Sequence, residues 1–222
     1  MLLMTGMLFI MSCTKNNTTP FVCGDTITDV DGNVYNTISI GTQCWTVENL
    51  KTSKYNDGTT IPTGLDNAAW AADSIGAYAV YDNADSNNTR YGKLYNWYAV
   101  HTGKLAPSGW HVPSDSEWTT LVTFLGGESL APNKMKSTNY WVPSSGITNT
   151  NSSGFTALPA SSRYFDGRFI ISPGNRGYFW SSTDYSSTAA YARILYYNNE
   201  EDIFSGNGAF KRNGYSVRCV KD

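Results

Sequence analysis

Rings set the terms for this chain: it carries 15 Tyr, 9 Phe and 7 Trp, while Leu, Ile and Val are scarce and Ser, Thr, Asn and Gly fill much of the rest. A core must therefore be assembled from large aromatic side chains, each of which brings substantial apolar area. Charged residues make up 15% of the 222 residues, below the roughly 25% usual for soluble domains. The formal charge of −2 is too small for the self-repulsion typical of disordered chains. No stretch concentrates Lys and Arg, which excludes the phosphate-neutralising surface of a nucleic-acid binder. At this length one large domain is expected.

Residues 2–11 are an apolar run too short to cross a bilayer, followed by Ser12, Cys13 and the polar stretch TKNNTTP. This segment resembles a bacterial lipoprotein signal, in which a small residue precedes a cysteine that receives a lipid; Ile10, Ser12 and Cys13 fit that pattern, and Met11 is bulkier than usual at its place. The expected organisation is a signal over residues 1–13 with Cys13 as lipid acceptor, a polar tether over 14–22, and a domain over 23–222. Acyl CH₂ groups worth about 0.8 kcal/mol each would then hold the domain on a membrane. The expected location is the cell envelope, as an outer-membrane lipoprotein facing the periplasm or the exterior.

With Cys13 set aside, Cys23, Cys44 and Cys219 remain, so one thiol stays unpaired in a compartment that permits disulfides. Residues 26–40 read as two strands around the turn dipeptide Asp31-Gly32, and that hairpin would return Cys44 to Cys23. A Cys23–Cys44 bridge is the expected pairing. In Ser216-Val217-Arg218-Cys219-Val220, alternation puts Val217 and Cys219 on one face, so Cys219 reads as a buried free thiol. Asp29, Asp31 and Asn33 share the alternate spacing of calcium-loop ligands, but the other ligands of such a loop are missing and a turn is the better reading.

The sharpest local signal is HVPSDSEWTTLVTFLGG. Ser114 and Glu117 form a capping box, Trp118, Leu121, Val122 and Leu125 make one apolar stripe, and Gly126-Gly127 ends the helix. A shorter helix is expected near residues 67–72, and residues 91–100 also lean towards helix. Downstream, short apolar pieces at Trp141 and at residues 155–158, 164–171, 178–180, 191–197 and 215–220 predict strands joined by long loops. Helices early and strands late imply an α+β class.

Six blocks in order, DVDGNVYNTISIGTQCWTVENLKTSKYNDGT, YGKLYNWYAV, APSGWHVPSDSEWTTL, GFTALPASSR, GYFWSSTDY and GYSVRCVKD, resemble the Fibrobacter succinogenes major paralogous domain. The resemblance spans residues 23–222. It implies an exported protein or lipoprotein of Bacteroidetes or Fibrobacteres, with a fold similar to the C-type lectin-like group: two helices, a central antiparallel sheet, long loops, and terminal strands side by side. It implies no particular chemistry.

The residues themselves argue for binding over catalysis. His101 and His111 lack the spacing of a zinc site, and neither a phosphate-cradling glycine loop nor a GxSxG elbow is present. His111, just before the helix cap, reads as a structural imidazole. The cysteine pair that oxidative relatives of the fold use for metal is not matched, and WSST lacks the carboxylate-amide ligands of a lectin calcium site. No metal and no cofactor are expected. In C-type lectin-like folds the ligand face lies on the later loops, here roughly residues 134–177, where Trp141, Arg163, Tyr164, Asp166 and Arg168 are the candidate binding residues, together with Tyr140 and Phe165. The expected function is an envelope binding or interaction module for a glycan or protein, attached to the membrane by its lipid. Two alternatives stand beside it: a carbohydrate hydrolase using Asp166, Asp184, Glu200, Glu201 or Asp202, and a structural scaffold.

Overall fold

Asp29 begins the fold by closing a tight turn on itself. Its carboxylate accepts from the backbone N–H groups of Asp31 and Asn33, from the Asn33 amide, and from the buried Tyr35 hydroxyl at 2.6 Å. Those oxygens are consumed by the turn, which is why the spacing of Asp29, Asp31 and Asn33 gives no cation loop. A computed structural model describes residues 20–198 and 208–222. Cys13 and residues 1–19, and Glu200, Glu201 and Asp202, lie outside the described residues.

The turn joins β1 (Ile27–Thr28) to β2 (Val34–Tyr35) in antiparallel register, Ile27 opposite Tyr35. Next come β3 (Thr37–Ile40) and β4 (Gln43–Thr46), paired around Gly41. The pairing brings Cys44 to Cys23, and the two form a disulfide with Cα atoms 5.9 Å apart. A run of short elements follows: α1 (Asn67–Ala72), β5 (Tyr78–Ala79), α2 (Asp85–Tyr91), β6 (Leu94–Tyr95), α3 (Trp97–His101) and β7 (Trp110–His111). Then α4 (Asp115–Phe124) and α5 (Ala131–Met135) precede the long hairpin of β8 (Arg176–Asp184) and β9 (Ala189–Tyr196). The chain closes with β10 (Ala209–Phe210) and β11 (Val220–Lys221).

The main sheets are β10-β9-β8 and β3-β4-β11-β7, both antiparallel, so the last strand lies between an early strand and β7. The fold is mixed α+β, with several antiparallel sheets and short helices. Residues 214–219 thread between the two sheets and divide the aromatic core. Tyr215, Val217 and Cys219 face a cluster with Tyr35, Tyr95, Trp97 and Trp180, while Val220 joins Trp45, Trp118, Phe155 and Phe179. The alternation read in the sequence holds, but both faces are buried.

A core made of rings must also satisfy their polar tips. Trp180 donates to the Tyr95 carbonyl at 2.7 Å, Trp97 to Ser181 at 2.9 Å and Trp118 to Trp180 at 3.2 Å, so each indole fixes the position of a neighbouring strand or helix. Helix α4 forms as its sequence dictates: Ser114 and Glu117 complete the capping box, and Trp118, Leu121, Val122 and Leu125 are all buried.

Several expectations need correction. Among the described residues there are five α-helices where the resemblance implies two: α1 and α4 form where the sequence predicts helices, while α2 and α5, seven and five residues long, are too short to display an apolar period. The stretch 91–100 splits: Leu94–Tyr95 is a strand, and the Asn96 side chain then caps α3. Trp141 and residues 155–158 and 164–171 contribute isolated bridges and turns, since their backbone bonds go to separate loops and no continuous partner strand lies alongside.

Candidate functional site

Arg163 is the root of the loop that carries the site. Its backbone exchanges two hydrogen bonds with Gly214, at 3.0 and 2.7 Å. Its side chain, 2% exposed, donates to the Gly167 carbonyl at 2.8 Å and to Leu65 at 2.7 Å and lies 4.4 Å over the Trp70 ring. Gly167 closes the turn at φ 88°, and a Cβ there would come within 2.4 Å of the Asn67 Cα, so only glycine fits. The turn leaves Phe165 at its tip, 42% exposed.

Strand β10 brings the second ring. Phe210 pairs with Ala189 across the sheet, the Lys211 N–H donates to the Thr188 carbonyl, and the Lys211 carbonyl accepts from Trp97 N–H at 2.8 Å. That last bond draws α3, and with it Tyr98, to the same place. The Lys211 ammonium lies 4.3 Å over the Trp97 ring and pairs with Asp184. Phe165 and Phe210 then meet edge to face, with centroids 4.8 Å apart and planes at 61°. Together with Tyr98, Thr188 and Arg212 they line a recess of about 270 Å³. Phe210, 54% exposed, is also the wall of an adjoining recess of about 200 Å³ lined with Ala192, Ile194, Asn213 and Tyr215. No described carboxylate lines either recess.

Arg212 is the charged group of the site. It is exposed, and among the described residues its guanidinium has no hydrogen-bond or ion-pair partner. A free planar fork beside two exposed rings can grip a carboxylate or a pair of hydroxyl oxygens while the rings pack on an apolar face.

The residues expected from the sequence are placed differently. Trp141 is 8% exposed, with its N–H on the Ala157 carbonyl at 2.9 Å, so it belongs to the core. Arg163 is buried and spends its donors on backbone carbonyls, so it positions the loop and does not face solvent. Tyr164 is half-buried at the base of the turn. Asp166 and Arg168 pair with each other at 2.6 and 2.8 Å, and the Arg168 guanidinium holds the Asp166 carboxyl below its usual range. Phe165, Tyr98, Thr188, Phe210 and Arg212 form the recess. The signal available for Phe210 and Arg212 was a lone ring beside two cations in the turn-rich run GNGAFKRNG.

The remaining reactive groups are engaged elsewhere. Both nitrogens of His111 face carboxylates, Asp222 and Glu117, each at 2.7 Å. Cys219 is a buried free thiol, and burial pushes its pKa well above the ordinary thiol value. Among the described residues no cluster of His, Cys, Asp or Glu could hold a metal, and no helix is long and apolar enough to cross a membrane.

Comparison with protein families matches residues 38–221 to the Fibrobacter succinogenes major domain. This chain belongs to the Fibrobacter succinogenes major domain family. The match takes in both rings of the recess and Arg212, and it begins after Cys23, so the disulfide ties a residue outside the match to β4 inside it. Among curated proteins and solved structures, no match is found. Among the described residues the last strand, β11, lies between β4 and β7, and the first, β1, pairs with β2.

Proposed function

We propose that this member of the Fibrobacter succinogenes major domain family is a binding module of the cell envelope, held to the membrane by a lipid on Cys13, that takes a glycan in the recess around Phe165 and Phe210. The observation that carries this reading is the edge-to-face pair of exposed rings beside the unpaired Arg212. A pyranose has one face of C–H groups and a rim of oxygens. Rings pack against the first, and a guanidinium and the Thr188 and Tyr98 hydroxyls serve the second. The recess is slightly smaller than the roughly 300–1,000 Å³ of drug-sized pockets, a size for one or two sugar residues.

A C-type lectin-like arrangement is part of the same proposal. A long loop segment inserted before the β8–β9 hairpin supports it. We read the domain as non-catalytic, a reading supported by the engagement of His111 and Cys219 in packing and hydrogen bonds. A glycan array probed with the purified domain tests the proposal: binding that Phe210→Ala abolishes supports it, and binding unchanged by Phe165→Ala with Phe210→Ala contradicts it. Turnover of any polysaccharide would favour the hydrolase. Membrane fractionation unchanged by Cys13→Ser would contradict the anchor.

A further inference from the structure

The second recess holds a group that nothing among the described residues satisfies. Asn213 is 8% exposed and lines this recess behind Phe210. Its Nδ2 donates to the Tyr215 hydroxyl at 2.9 Å, but its Oδ1 is buried without a hydrogen-bond partner among the described residues. Buried polar atoms are nearly always paired, so an orphan acceptor on a residue that lines a recess marks a place for a donor from outside. The surroundings restrict that donor: Ala192, Ile194, Ala209 and the rings of Phe210 and Tyr215 offer apolar contact and leave room for a small methyl-bearing group.

We infer that the ligand carries an acetamido group, so that an N-acylated amino sugar straddles Phe210. Its pyranose face packs in the first recess, its amide N–H donates to Asn213 Oδ1, and its acetyl methyl rests on Ala192 and Ile194. This inference rests on the glycan reading above and adds the substrate class to it. A peptide offers the same N–H, but it needs a run of backbone partners along an edge, and β10 provides only two residues of strand.

Two β-1,4-linked trisaccharides test it: chitotriose, which has acetamido groups, and cellotriose, which lacks them. The wild-type domain should prefer chitotriose by about tenfold, the effect of one added hydrogen bond in a desolvated site, and saturation-transfer NMR should show the strongest transfer to the acetyl methyl protons. Asn213→Ala should reduce the two affinities to near equality, while Asn213→Asp, which keeps an acceptor, should retain the preference. Should Asn213→Ala fail to fold, the wild-type preference and the Asp variant still decide. Equal affinities in the wild type overturn the acetamido inference and leave the glycan reading intact. Binding of an acetylated peptide in place of either sugar overturns it in favour of a protein ligand, and binding of neither sugar overturns both readings.

Discussion

The guanidinium of Arg218 donates through Nη1 to the Phe155 carbonyl at 2.7 Å, while its central carbon lies 4.5 Å from the centroid of the same residue's ring. Further bonds run to Asn49 Oδ1 at 2.7 Å and to the carbonyls of Thr46 and Thr156, each at 2.9 Å. The side chain is fully buried, and burial pulls its pKa down to about 9, which leaves it charged at neutral pH. A lone cation is thus carried inside the fold by oxygen dipoles and an aromatic face, and it locks the last strand to β4 and to the 155–156 segment. Replacing it with Met leaves these acceptors dry and unpaired, each at a cost of roughly 1–3 kcal/mol before relaxation. Arg218→Met is expected to lower stability by about 3–5 kcal/mol, read as a fall in the urea midpoint with the slope unchanged. A loss under about 1 kcal/mol would show that the network is dispensable.

His111 makes the closure of the carboxyl terminus sensitive to pH. Burial disfavours its charged form, but the hydrogen bonds and charges of Asp222 and Glu117 outweigh this and raise its pKa, while Glu117 is lowered by Ser114 and His111 against its own burial. A raised imidazole pKa contributes stability that is complete below the unfolded value of about 6.5 and is lost as pH climbs through the folded value. The lowered Glu117 contributes above its unfolded pKa and is lost as pH falls through the folded one. Thermal midpoints should therefore decline on raising the pH from 6 to 8.5, and His111→Gln should flatten that decline. An equal slope in both proteins would contradict the assignment.

Cys23 and Cys44 are 21 residues apart. For a loop of that length the chain-entropy model gives about 3 kcal/mol. The double variant Cys23→Ser, Cys44→Ser should lose about that much by denaturant titration, and adding reductant to the wild type should reproduce the loss. No effect of reductant on the wild type would mean the bridge is absent in solution.

Gly167 links packing to the recess. Gly167→Ala adds a Cβ into the Asn67 backbone at a positive φ, so the turn must shift and carry Phe165 with it. A loss of roughly 1–3 kcal/mol is expected together with several-fold weaker sugar binding. Gly103→Ala is the control: its φ is also positive, at 67°, but no atom lies within 4 Å of the added Cβ. It should cost about 1 kcal/mol and leave binding unchanged.

What was readable from the sequence was what a local pattern encodes. The Ser114–Glu117 box with its stripe announces α4 and the Asp31-Gly32 turn announces the first hairpin, while Cys44 reaches Cys23 through the next pairing, β3 with β4. The alternation at 216–220 was also legible, but not that Arg218 would lie inside, because a charge on a strand normally marks the solvent side and here long-range carbonyls supply its partners. The site was the least legible part. Trp141 and Arg163 have the composition of a binding surface, yet one is core and the other a loop clamp. Phe210 and Arg212 come to Phe165 through the Arg163–Gly214 and Trp97–Lys211 backbone bonds, which join residues far apart in sequence.

Chemical-shift mapping of the labelled domain with chitotriose locates the ligand on the fold. The largest shifts are expected on Phe165, Phe210, Tyr98, Thr188 and the Asn213 side-chain amide. Shifts concentrated elsewhere, for instance on Thr119, Thr123 and Phe124 at the exposed face of α4, with the Phe165–Phe210 corner silent, would contradict this placement.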